Sequence, residues 1–146
     1  TTPADARAVS AGIPTPFELE ADDARRLRPV ASATWGAYAV DLYQENGDDF
    51  RVGTDNWLVM RVQRTDDREA AIELGVTMGA YAHIVAFDHE LTGYAHLHPK
   101  YTGREAAAQP QLAFILNTNR AGPYKLWAQL VLEDTEVYVP FDIVVQ

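Results

Sequence analysis

From Thr34 to the C-terminus, apolar and polar residues alternate with a period close to two, broken by clusters of Gly, Asn and Asp. A period of two sets one face of an extended chain on a core and the other in solvent, so each alternating run reads as a strand. The runs are Ala37 to Gln44, Phe50 to Val52, Trp57 to Gln63, Ala70 to Thr77, Tyr81 to Phe87, Tyr94 to His98, Gln111 to Asn117, Tyr124 to Leu132 and Val137 to Val145. Turn signals stand between several of them: Glu45-Asn46-Gly47-Asp48, Gly53-Thr54-Asp55-Asn56 and Glu133-Asp134-Thr135. Many short strands with almost no helix predict an all-β antiparallel sandwich or barrel.

The helical period occurs once, near the N-terminus. Thr15-Pro16-Phe17-Glu18 reads as an N-cap, a first-turn Pro and a capping-box Glu. Phe17, Ala21, Ala24 and Arg28 follow at helical spacing, and Pro29 ends the run, which predicts a short peripheral helix. The expected organisation is therefore a linker with this helix over residues 1–33 and a β-sandwich domain over residues 34–146. The chain starts at Thr1 without Met, and Thr1 to Pro16 is rich in Ala, Pro and Thr. That stretch reads as the stub left by a removed signal peptide or membrane anchor, or as an arbitrary boundary.

Composition narrows the function classes. Apolar residues make up 47% of the 146 positions, enough for one packed domain and too many for a disordered chain. The net charge of −9, with 12 scattered basic residues, excludes a nucleic-acid partner, which needs clustered Lys and Arg. The chain has no cysteine, so disulfides, thiolate metal sites and thiol catalysis are excluded. Any metal must take nitrogen, oxygen or thioether ligands.

The four histidines all fall within Tyr81 to Pro99 (YAHIVAFDHELTGYAHLHP). His96 and His98 are two apart, so on a strand both leave the same face. If Asp88 to Gly93 forms the loop of a hairpin, Phe87 pairs with Tyr94, Val85 with His96, and His83 with His98. Paired residues share a face and their Cβ atoms lie about 5 Å apart. That is close enough for three imidazoles to converge on one ion at ~2.0–2.1 Å. In this register Tyr81, Val85, Phe87 and Tyr94 share the histidine face, and Ala82, Ile84, Ala86, Ala95 and Leu97 take the other. A loop of odd length would send His83 to the opposite face. His89 falls at the loop tip and is expected in solvent.

Three ordered stretches then carry a resemblance. Gly79-Ala80-Tyr81-Ala82-His83 is followed by His96-Leu97-His98-Pro99, and later by Gly122-Pro123-Tyr124-Lys125-Leu126-Trp127-Ala128-Gln129. In these, over roughly Tyr38 to Gln146, the chain resembles a family of exported bacterial domains described as heavy-metal-binding or cupredoxin-like. The resemblance implies an immunoglobulin-like or cupredoxin-like sandwich that binds metal outside the cytoplasm, secreted, periplasmic or anchored at the cell surface. It carries over His83, His96 and His98 as matching positions. Family members often have Met between the Gly-Ala and the His, where this chain has Tyr81. That departure weakens the case for Cu(I), because a thioether suits it.

Three imidazoles without thiolate suit Cu(II), Zn(II) or Ni(II), with copper first in affinity; blue-copper chemistry is excluded without Cys. Met78, Glu105 or a carboxylate from Asp41 to Glu45 are candidates for a fourth ligand, and Tyr81, Tyr94 and Tyr101 for orienting the imidazoles. The expected function is a non-catalytic module that sequesters, delivers or senses a transition metal, with another extracytoplasmic metal-handling protein as partner. Two alternatives stand beside it. One is a zinc enzyme in which three histidines leave an open position for an activated water. The other is a protein-interaction sandwich whose histidines bind no metal.

Overall fold

The computed structural model describes residues 28–44, 49–77, 79–90, 94–97 and 99–146; for residues 94 and 96 it describes the backbone alone. The helix expected over Thr15 to Arg28 lies almost wholly outside these residues, and among the described residues there is no helix.

Among the described residues ten strands run in chain order: β1 (Ala31–Trp35), β2 (Tyr38–Gln44), β3 (Asn56–Arg64), β4 (Leu74–Gly75), β5 (Ala82–Asp88), β6 (Tyr94–Leu97), β7 (Pro99–Lys100), β8 (Gln111–Leu116), β9 (Gly122–Leu132) and β10 (Thr135–Val145). They form two antiparallel sheets. One has the order β10-β9-β5-β6, with β4 also pairing β9, and the other has the order β1-β2-β3-β8-β7. The inner faces supply one apolar core. Val40, Leu42, Leu58, Met60, Val62, Leu112 and Phe114 come from the second sheet, and Ile84, Leu97, Leu126, Leu130, Val139 and Phe141 from the first. The molecule is thus the antiparallel β-sandwich that the alternation predicted.

The last two strands follow the pattern most closely. Every second residue of β10 from Val137 to Val145 is buried and the residues between are exposed. Leu132 pairs with Thr135, leaving Glu133 and Asp134 as a two-residue turn. Both have positive φ, 47° and 71°, as the twist of a tight hairpin requires. The turn after Phe50 is held instead by a side chain. Asn56 is buried, accepts a hydrogen bond from Arg51 N at 3.0 Å, and donates to Arg51 O at 2.9 Å and Leu116 O at 3.0 Å.

Three elements differ from the sequence expectation. Ala31–Trp35, whose first three residues were placed with the linker, is a strand paired along its length with β2. Its small side chains give little apolar contrast to read. The run from Ala70 to Thr77 is strand only at Leu74–Gly75. Phe50 makes an isolated parallel bridge to Val145 rather than opening a strand.

Candidate metal centre

The hairpin of β5 and β6 has the register expected from its parity: Phe87 opposite Tyr94, Val85 opposite His96, Ile84 opposite Leu97. Ala82, Ile84, Ala86 and Leu97 are buried in the core, and Ala95 packs against it. His83, Val85 and Phe87 alternate with the buried residues and are half-buried on the outer face of the sheet. Position 96, opposite Val85, belongs to that same face by register. The side chain of His96 and all of His98 lie outside the described residues. The pairing of His83 with His98 would be one step beyond the last described pair, and Pro99 is already opposite Phe114 in the second sheet. Among the described residues, no three His, Asp or Glu side chains cluster to hold a metal ion.

The neighbours of His83 are set by β9 and β10. His83 is opposite Gln129, which is opposite Tyr138; Val85 is opposite Trp127, which is opposite Pro140. Gln129 donates its amide to Glu136 Oε2 at 2.7 Å and to the Tyr138 hydroxyl at 3.2 Å, so it leans toward β10, away from β5. Trp127 and Tyr138 are exposed on this face.

His83 is oriented from its own chain. Its Nε2 lies 2.7 Å from the carbonyl oxygen of Thr77. Thr77 and Ala80 exchange backbone hydrogen bonds of 2.9 and 3.1 Å, closing a tight turn in which Gly79 has φ of +80°. That turn belongs to an excursion between β4 and β5. Gly75 pairs with Val131 and Ala82 with the adjacent Leu130, so pairing with β9 stops after Gly75 and resumes at the next position with Ala82. The Gly79-Ala80 step in front of His83 is therefore a turn that delivers a carbonyl to the imidazole. Sequence reasoning missed Thr77 because the atom that matters is a backbone oxygen, which no side-chain pattern reveals.

Several proposed helpers are displaced. Tyr81 was expected on the histidine face; it packs against the hydrophobic core, because the excursion breaks the alternation just before β5. Tyr101 is 80% exposed in the loop after β7. Asp41 is in the second sheet, opposite Ser32 and Arg61, and is no neighbour of the hairpin. Glu105 is buried, and its two carboxylate oxygens accept the backbone N–H groups of Thr102 at 2.7 Å and Gly103 at 3.1 Å. It holds the loop that follows the hairpin. Met78 lies outside the described residues. His89 is exposed at the end of β5, as expected, with its backbone N–H donating to Pro123 O at 3.0 Å.

The one imidazole described on this face, His83, is half-buried and held at one ring nitrogen by a carbonyl, an arrangement that metal-binding imidazoles also use.

Two solved structures of FetP from uropathogenic E. coli overlap with the chain. One, of the protein as isolated after recombinant expression in the E. coli periplasm, has a TM-score of 0.42 at 10% identity over 80% of this chain and 94% of that one. The other, a copper-bound variant, has a TM-score of 0.44 at 11% identity over 80% and 95%. No curated protein matches the chain. The family model described as a domain of unknown function, DUF8832, matches residues 33–146, and the chain belongs to that family.

Proposed function

We propose that this protein binds one transition-metal ion on the outer face of its β5-β6 hairpin through His83, His96 and His98. The observation that carries the reading is the register: Val85 opposite His96 is the even-loop pairing on which the three-histidine arrangement depends. The odd alternative would have separated His83 from position 96. The carbonyl-held ring of His83 supports the same reading.

Copper is the favoured ion, with zinc or nickel as competitors, because a nitrogen-only donor set in a chain without cysteine follows the ordinary affinity order. The role is non-catalytic: sequestration, delivery or sensing outside the cytoplasm, with another metal-handling protein as donor or acceptor. The protein purified without chelator is expected to carry close to one equivalent of metal by elemental analysis, or to take up one equivalent of Cu(II) on titration. Failure to bind Cu(II), Zn(II) or Ni(II) stoichiometrically would sink the proposal.

A further inference from the structure

The metal-binding reading leaves open which nitrogen of His83 meets the ion, and the turn in front of β5 answers that. We infer that His83 binds through Nδ1, with the Thr77 carbonyl acting as a positioning group that holds Nε2–H. This assignment rests on the metal-binding reading above.

A carbonyl oxygen can only accept a hydrogen bond, so at 2.7 Å from Thr77 O the His83 Nε2 must carry the proton. In the neutral ring the lone pair then belongs to Nδ1, and a metal ion takes the nitrogen with the lone pair. Nδ1 is the nitrogen nearer the backbone, so an ion bound there sits close to the sheet. A hydrogen bond from the other ring nitrogen fixes the tautomer and the plane of a metal-binding imidazole and makes it a better donor. Here the bond comes from the main chain, and its place is set by the geometry of one turn.

The turn is built for that task at two points. Thr77 O accepts both Ala80 N–H, at 3.1 Å, and His83 Nε2–H, using the two lone pairs a carbonyl offers. Gly79 has φ of +80°, a conformation that side-chain-bearing residues rarely adopt. Among the described residues a Cβ at Gly79 would meet no atom within 4 Å, so substitution there strains the turn without crowding those neighbours. Gly79→Val is accordingly a probe of the turn alone.

The test is long-range 1H–15N correlation of the histidine rings in the uniformly 15N-labelled protein, without metal and with one equivalent of Zn(II), which is diamagnetic. The expected result is a His83 ring protonated at Nε2 in the metal-free protein. On zinc addition its Nδ1 resonance shifts by the amount typical of metal ligation while Nε2 keeps its proton. Gly79→Val is expected to weaken zinc binding about tenfold with the amide spectrum of the sheets preserved. A His83 protonated at Nδ1, or a zinc shift at its Nε2 with other histidines engaged, would overturn this assignment and leave the metal site standing. Absence of a zinc shift at every histidine would overturn the metal site and the assignment with it.

Discussion

Gly75→Ala should destabilise the protein, although alanine is the better residue at most ordinary glycine positions. The added Cβ would lie 2.7 Å from Val131 Cγ1 and 3.1 Å from Val131 Cβ. Carbon pairs are comfortable at about 3.5–4.0 Å. Rotating Val131 would move Cγ1 but not Cβ, and a β-branched side chain has few rotamers to choose from. The remaining escape is for β4 to lift from β9, where only Leu74 and Gly75 are paired. Overpacking of this kind costs about 1–3 kcal/mol, partly offset by the ~0.4–1 kcal/mol gained when Ala restricts the unfolded chain. A net loss of about 1–2 kcal/mol corresponds to a fall in Tm of roughly 3–10 °C for a domain of this size. Thermal and urea unfolding followed by circular dichroism would measure it. In a Val131→Ala background, which removes the closest atom, most of the penalty should vanish, giving a coupling of about 1 kcal/mol or more. The reasoning fails if Gly75→Ala matches or exceeds the parent in stability, or if the two substitutions are additive.

Other consequences are more local. Asp134→Gly should raise stability by about 1 kcal/mol in urea unfolding, because Asp134 holds φ of 71° in the hairpin turn and glycine does so without the penalty of a Cβ. Glu105→Ala should cost about 1–3 kcal/mol by stranding the N–H groups of Thr102 and Gly103, yet leave metal affinity unchanged; a matching loss of affinity would restore Glu105 as a ligand. The Tyr38 phenol is held above its ordinary 10.0, first by a hydrogen bond to the Glu133 carboxylate and then by burial. A raised folded-state pKa gives stability that is present below about pH 10 and lost as the pH rises through the folded value. Alkaline absorbance titration should therefore find Tyr38 ionising late, and Glu133→Gln should bring it earlier.

Where the sequence could be read, a strong side-chain contrast lay along a regular strand. β9 and β10 set an apolar residue at every second position over most of their 11 residues each, so their buried faces were plain. The hairpin register followed from the loop length between Phe87 and Tyr94, a matter of counting once the buried set Ala82, Ile84 and Ala86 was recognised. What escaped did so for physical reasons. β1 is Ala-Ser-Ala-Thr-Trp, with too little apolar contrast to register as a strand. Pairing with β9 ends at Gly75 and resumes only at Ala82, and a propensity reading of Ala70 to Thr77 as one strand has no way to see where pairing stops. Tyr81 changed face for the same reason. Thr77 contributes a carbonyl, which every residue has, so only the fold could single it out. Glu105 read as a spare carboxylate until its two backbone partners were seen.

The central claim is that one ion is held jointly by His83, His96 and His98. Competition titration with Cu(II) on the parent and on the His96→Ala and His98→Ala variants tests it most directly. One tight site is expected in the parent and a loss of at least about tenfold in each variant, with unfolding curves unchanged. Unaltered copper affinity in both variants would contradict it.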